Sequence, residues 1–154
     1  MISMIRLDDR LVHGQVAFSW KARLGYQAVV IASDSASKDE VRKMALKMCC
    51  PEDVKIAIRD VDNAIELLKN EKLKPLKVLV VTDNTEDLLK LCSNLDEKPL
   101  VNIGGLGKKD DTKELFKAVW VNERDIENLN SIQDLGYKIE AQQVPSSRAL
   151  TYKK

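Results

Sequence analysis

The chain contains a single histidine, His13. It has three cysteines, Cys49, Cys50 and Cys92; two are adjacent and none forms a C-x-x-C spacing. These shortages exclude the usual Cys/His zinc sets and the dithiol redox signature. The thiols read as reduced, mostly buried side chains of a cytoplasmic protein. Glycine and proline are sparse, at six and four residues, and no Pro/Gly/Ser-rich linker divides the chain, so one domain over 1–154 is expected. Net charge is only +1, which gives nucleic acid no basic field to meet. No apolar run approaches the ~20 residues that span a bilayer. The opening "MISMIRLDDR" does not read as a secretory signal.

What the sequence does have is a recurring series of short β-branched runs: 3–7, 28–32, 54–58, 77–81, 100–103, 118–121 and 137–144. The runs "AVVIA" and "KVLVV" are apolar throughout, as strands buried on both faces of a parallel sheet are. Between most of them lie amphipathic helical patterns: Val16, Trp20 and Leu24; Val41, Ala45 and Met48 behind "SKDE" (37–40) as a capping box; Ile65, Leu68 and Leu73 behind Asp60; Leu88, Leu91, Cys92 and Leu95 behind "DNTE" (83–86); and Ile126, Leu129 and Ile132, closed by Gly136. Alternating strands and helices predict an α/β fold: an open, mostly parallel twisted sheet of about seven strands with helices on both faces. The last run, "YKIEAQQV", is more polar and reads as an antiparallel edge strand; the tail after Pro145 reads as mobile. One connection, "GGLGKKDDTKEL" (104–115), holds three of the six glycines and at most one helical turn. Such a loop lets backbone amides approach a ligand.

His13 lies in "IRLDDRLVHGQV" (5–16), among Arg6, Asp8, Asp9 and Arg10, just after the first strand. In open α/β sheets ligands bind beyond the carboxyl ends of strands. A helix beginning at Gly14 or Gln15 offers free N–H groups and partial positive charge to an anion. Arg6 and Arg10 add cationic forks that suit phosphate. In that setting the imidazole fits best as a nucleophile toward phosphorus, with Asp8 or Asp9 placed to hold its other nitrogen. A metal ligand is the weakest option beside two arginines, and acid/base work lacks a partner, since Ser3 and Ser19 are close only in sequence. The same charges also fit a solvated ion-pair cluster. Trp20 and Trp120 read as packing residues, Asp34 as a residue bordering the site, and Lys108, Lys109, Asp110 and Asp111 as a solvated loop face near a docking surface that includes Arg10 and Lys21.

This stretch resembles the active-loop motif of the IIB subunits of the mannose/fructose/sorbose class of the sugar phosphotransferase system (PTS). "ASDSASKDEVRKMALKMCCPEDVK" (32–55), "VNIGG" (101–105), "KAVWVNERDI" (117–126) and "QQVPSS" (142–147) are similar in matching order, so the likeness covers nearly the whole chain. It implies a cytoplasmic phosphocarrier, peripheral to a membrane transporter. His13 would take a phosphoryl group from a IIA subunit's phosphohistidine and pass it to a sugar imported by membrane subunits IIC and IID. Arg6 and Arg10 would be the phosphate partners, Gly14 and Gln15 would begin the helix whose amides cap the anion, and Gly104 and Gly105 would stand beside the loop. No cofactor, metal or nucleic acid enters that chemistry, and a homo-oligomer is compatible with it. The rival expectation is a non-catalytic α/β module that binds a phosphorylated ligand at the same loop.

Overall fold

The computed structural model describes residues 1–154. Seven strands form one sheet in the order β3-β2-β4-β1-β5-β8-β9. They are β1 (Ile2–Asp8), β2 (Ala28–Ala32), β3 (Lys55–Arg59), β4 (Val78–Thr82), β5 (Val101–Gly105), β8 (Ile139–Ala141) and β9 (Leu150–Thr151). Every pair is parallel except β8 with β9. β1 is central, between β4 and β5, and all but one of its residues are buried. A separate hairpin, β6 (Lys113–Phe116) and β7 (Val119–Val121), joins the sheet through a single bridge from Leu106 to Val119.

Alternate side chains along each strand feed two cores, because a strand's side chains point to opposite faces. On one face Ile5, Leu7, Val30, Val80 and Ile103 pack under helices α4 (Val61–Leu68), α5 (Thr85–Asn94) and α6 (Glu123–Asp134). On the other, Met4, Val29, Ile31, Leu79 and Val81 pack under α1 (Val16–Leu24), the four-residue α2 (Asp34–Ser37) and α3 (Glu40–Met48). The chain therefore leaves β1 over one face and leaves its neighbours β4 and β5 toward helices on the other. That divergence opens a crevice at the carboxyl end of β1.

Five helices begin on a side-chain cap. Ser33, Asp39, Asp60, Asn84 and Asn122 each accept from the amide three positions on, and Asn122 completes a capping box with Asp125. α1 is the exception: Gln15 makes no side-chain cap, and its first turn holds no acid. Cys50 and Cys92 are buried, and burial pushes their thiols up to about 11 and about 12; Cys49 is half-buried.

The structure revises several expectations in detail. The run 137–144 contributes β8, which is parallel; the antiparallel edge is β9, inside the tail expected to be mobile. That tail is anchored by Tyr152, which is 3% exposed and donates its hydroxyl to Asn130. The run 118–121 belongs to the hairpin, so the sheet reaches seven strands through β9. Segment 104–115 has no helical turn and enters β6. α3 starts on Asp39, because Ser37 closes α2. Its residues Val41, Ala45 and Met48, expected on the buried side, face solvent; Leu46 is the one that packs inward.

Candidate functional site

Met4, Arg6 and Asp8 share one face of β1, and the last two are polar residues inside the sheet: Arg6 is 2% exposed and Asp8 0%. A buried charge is tolerated only when paired and hydrogen-bonded. Here Arg6 Nη2 donates to Asp8 Oδ2 at 3.0 Å and to the Gln143 carbonyl at 3.0 Å. Its Nη1 donates to Asn102 Oδ1 at 2.6 Å and to the Gln142 carbonyl at 3.3 Å. Trp20 covers the guanidinium, with its ring centroid 5.6 Å from Cζ, and donates its indole N–H to the Gln143 carbonyl at 3.2 Å. Burial lowers the Arg6 pKa from its ordinary value, while Asp8 acts to raise it. Gly104 is what makes room for this group: a Cβ there would collide with the guanidinium.

Asp8 is thereby fixed at the lip of the crevice, where it organises the active loop. Its Oδ1 accepts the Arg10 amide at 3.0 Å, and its carbonyl accepts the Leu11 amide at 2.8 Å. Its Oδ2 lies 3.0 Å from His13 Nε2. The tight reversal places Leu11 at φ 60°, a left-handed conformation that costs a non-glycine residue about 1 kcal/mol or more; its fully buried side chain holds it there. Gly14, at φ 48°, makes the second reversal, and a Cβ on it would meet nothing within 4 Å. The loop is open on that side, and the His13 side chain is partly exposed.

Asp9 points the other way and ties the active loop to the glycine-rich one. Its carboxylate accepts the Gly107 amide at 2.6 Å, and its own amide donates to the Gly105 carbonyl at 3.0 Å. Of the two carboxylates placed to hold His13, the structure selects Asp8.

The expected phosphate partners separate. Arg6 is buried behind Asp8 with both terminal nitrogens engaged, so its contacts in this structure are to Asp8, Asn102 and the carbonyls of Gln142 and Gln143. Arg10 is exposed, with its Nε 3.9 Å from Asp8 Oδ1. Gly14 and Gln15 are exposed at the uncapped start of α1. Gly104 and Gly105 stand beside the loop, one shaping the Arg6 niche and the other receiving the Asp9 amide. Asp34 lines an open polar groove of about 860 Å³ next to Asp9 and Arg10, together with Asp83, Glu86, Asp87 and Asp125. Burial, then Asp34 and Asp83, raises the Asp87 pKa. Trp20 is buried as expected and also caps Arg6; Trp120 is half-buried, with Lys108 Nζ 5.1 Å from its ring centroid.

Sequence reasoning did not single out Asn102 or the carbonyls of Gln142 and Gln143. Asn102 was findable, as the one polar residue inside the apolar run 100–103. The carbonyls carried no side-chain signal.

The family model of the PTS system sorbose subfamily IIB component matches residues 2–154. The sorbose-specific EIIB component of Lacticaseibacillus casei is 32% identical over 153 residues, covering 97% of this chain and 93% of that protein. The mannose-specific EIIAB component of Escherichia coli K12 is 30% identical over 150 residues; the match covers 97% of this chain but 46% of that longer protein. The crystal structure of the IIBSor domain of the sorbose permease from Klebsiella pneumoniae superposes with a TM-score of 0.92 at 29% identity, covering 97% of this chain and 92% of that one. Components of this type work with IIA and with membrane subunits IIC and IID. Taken with the fold, these likenesses show that the chain belongs to the sorbose-subfamily IIB components of the phosphotransferase system, phosphocarrier proteins that act as phosphotransferases in sugar transport.

Proposed function

We propose that His13 is the phosphorylated residue and that Nδ1 is its nucleophilic atom. The observation that carries this reading is the 3.0 Å contact between His13 Nε2 and a fully buried Asp8 carboxylate. A carboxylate held by Arg6 and the Arg10 amide accepts from an N–H, so the proton belongs on Nε2 and the lone pair on Nδ1. Nδ1 attacks the phosphorus of the IIA phosphohistidine; its P–N bond forms as the donor's P–N bond breaks. The imidazole becomes cationic as it takes the phosphoryl group, and Asp8 stabilises that charge. Arg10 and the free amides at the start of α1 meet the phosphoryl oxygens. Phosphoryl transfer asks little beyond alignment and charge stabilisation, so a shallow site suffices when the donor and acceptor supply the remainder. The acceptor is a sugar carried by the membrane subunits. The protein acts as one domain over 1–154 on the cytoplasmic side, peripheral to the transporter; none of its helices is long and apolar enough to cross a membrane.

Intact-mass analysis after incubation with phosphorylated IIA tests this. One phosphoryl group should appear, acid-labile and base-stable as a P–N bond is, and be absent from the His13→Gln variant. A stable adduct on serine or aspartate would refute the assignment.

A further inference from the structure

α3 is mounted with its apolar side outward. Val41 is 78% exposed, Met44 66% and Met48 83%, and Ala45 between them is exposed as well. These positions follow the i, i+3, i+4, i+7 spacing of one helix stripe. The inward side holds Leu46 with the half-buried Arg42 and Lys43. On the same sheet face, α1 presents Phe18 at 47% exposure and Ala22. A contiguous apolar stripe on a helix that had the choice of facing inward marks an interaction surface.

Charge says what kind. Helices α1 to α3, over this face, carry Lys21, Arg23, Arg42, Lys43 and Lys47 against Asp34 and Glu40, with Asp39, Glu52 and Asp53 in the flanking turns; Lys21 and Lys43 pair with Asp53 and Glu40, whereas Arg23 and Lys47 are exposed with no acidic partner. Helices α4 to α6, over the opposite face, carry eight acidic side chains against Lys90 and Arg124. Most of that difference is hidden in the net charge of +1. A second copy meeting this face through a two-fold axis would set like charge against like. The cytoplasmic loops of membrane proteins are enriched in Lys and Arg, and they too would be repelled. An anionic bilayer is complementary on both counts: its headgroups attract the basic residues, and its acyl boundary takes apolar side chains from a helix lying in the interface.

We propose that the face built by α1 and α3 docks on an anionic lipid surface, with Val41, Met44, Met48 and Phe18 entering the headgroup layer and Arg23 and Lys47 pairing with lipid phosphates. This rests on the reading that the protein serves a membrane transporter. It adds an orientation: α1 follows the active loop directly, so docking this face brings His13 to the rim of the contact, beside the membrane that holds the acceptor, while the acidic face points away.

The test is co-sedimentation of the full chain with vesicles of phosphatidylglycerol and phosphatidylcholine, against phosphatidylcholine alone, at low and high salt. Wild type should sediment with the anionic vesicles, salt-sensitively, and not with the neutral ones. Arg23→Glu/Lys47→Glu should weaken binding on the order of tenfold or more. Val41→Ser/Met44→Ser/Met48→Ser should reduce it comparably; these residues are exposed, and circular dichroism will show an unchanged fold. Absent binding, equal binding to neutral vesicles, or indifference to both variants would overturn the proposal. So would a stripe covered by a protein: self-association in sedimentation velocity that the serine variant abolishes, or loss of phosphoryl transfer from soluble IIA in that variant. Phosphorylation of His13 measured alongside separates the two readings. A chain that is phosphorylated but does not sediment refutes the docking and leaves the phosphocarrier intact; one that sediments and is not phosphorylated supports the docking and refutes the site.

Discussion

Arg6 and Arg10 stand two residues either side of Asp8, carry the same charge, and look interchangeable on paper. The fold gives them opposite surroundings. Arg6 is on the strand, buried, with Asp8, Asn102 and two carbonyls as acceptors. Arg10 is on the loop, its side chain 64% exposed and its closest carboxylate oxygen at 3.9 Å. The first supports a carboxylate; the second is free to meet an incoming anion. Position on strand or loop, and not residue type, decides which of two arginines is enclosed by acceptors and which is left exposed.

The comparison breaks most visibly at Arg6. Arg6→Met removes the partner of a buried carboxylate, so stability should fall by about 3–5 kcal/mol, read as a lower urea midpoint. Arg10→Ala should leave that midpoint within about 0.5 kcal/mol, as surface changes do, yet slow single-turnover transfer from IIA on the order of a hundredfold, about 3 kcal/mol of lost transition-state stabilisation. Arg10→Lys sharpens the point, because it keeps the charge and loses the fork; only partial rescue is expected. If Arg6→Met unfolds nothing and Arg10→Ala transfers normally, the division of labour is wrong.

A smaller effect is expected at Gly104→Ala, which forces a methyl group against the Arg6 guanidinium. Overpacking of this kind costs about 1–3 kcal/mol, and transfer should slow through displacement of Asp8. The same substitution at Gly105, where a Cβ finds ordinary contact distances, should be nearly silent in the denaturation curve. A modest effect is expected at Trp20→Phe: the ring stays over Arg6 but the bond to the Gln143 carbonyl is lost, worth about 1 kcal/mol.

Much of this was legible beforehand, for physical reasons that differ by element. The central strands announce themselves because burial on both faces demands continuous apolar runs. The active loop does so through its motif and its place after the first strand. The edges were harder. β9 is two residues long, too short for any periodicity, and the run 118–121 carries the same apolar signature whether it joins the main sheet or a hairpin. The stripe of α3 was visible as spacing, but spacing does not say which way a helix is turned. At the site, Arg6 and Arg10 were both read as phosphate partners because sequence shows charge and not depth. Depth came from Asn102, Gly104 and the carbonyls of 142–143, which meet Arg6 only once β5 and β8 are laid beside β1.

The central claim is that Asp8, held by Arg6, fixes the tautomer of His13 and so the atom that takes the phosphoryl group. The direct measurement is heteronuclear NMR of ring-15N-labelled protein after phosphorylation by IIA, which reads which imidazole nitrogen is coupled to phosphorus. The account predicts phosphorus on Nδ1 of His13, with the proton retained on Nε2 facing Asp8. Phosphorus on Nε2, the atom that faces the carboxylate in this structure, would contradict it.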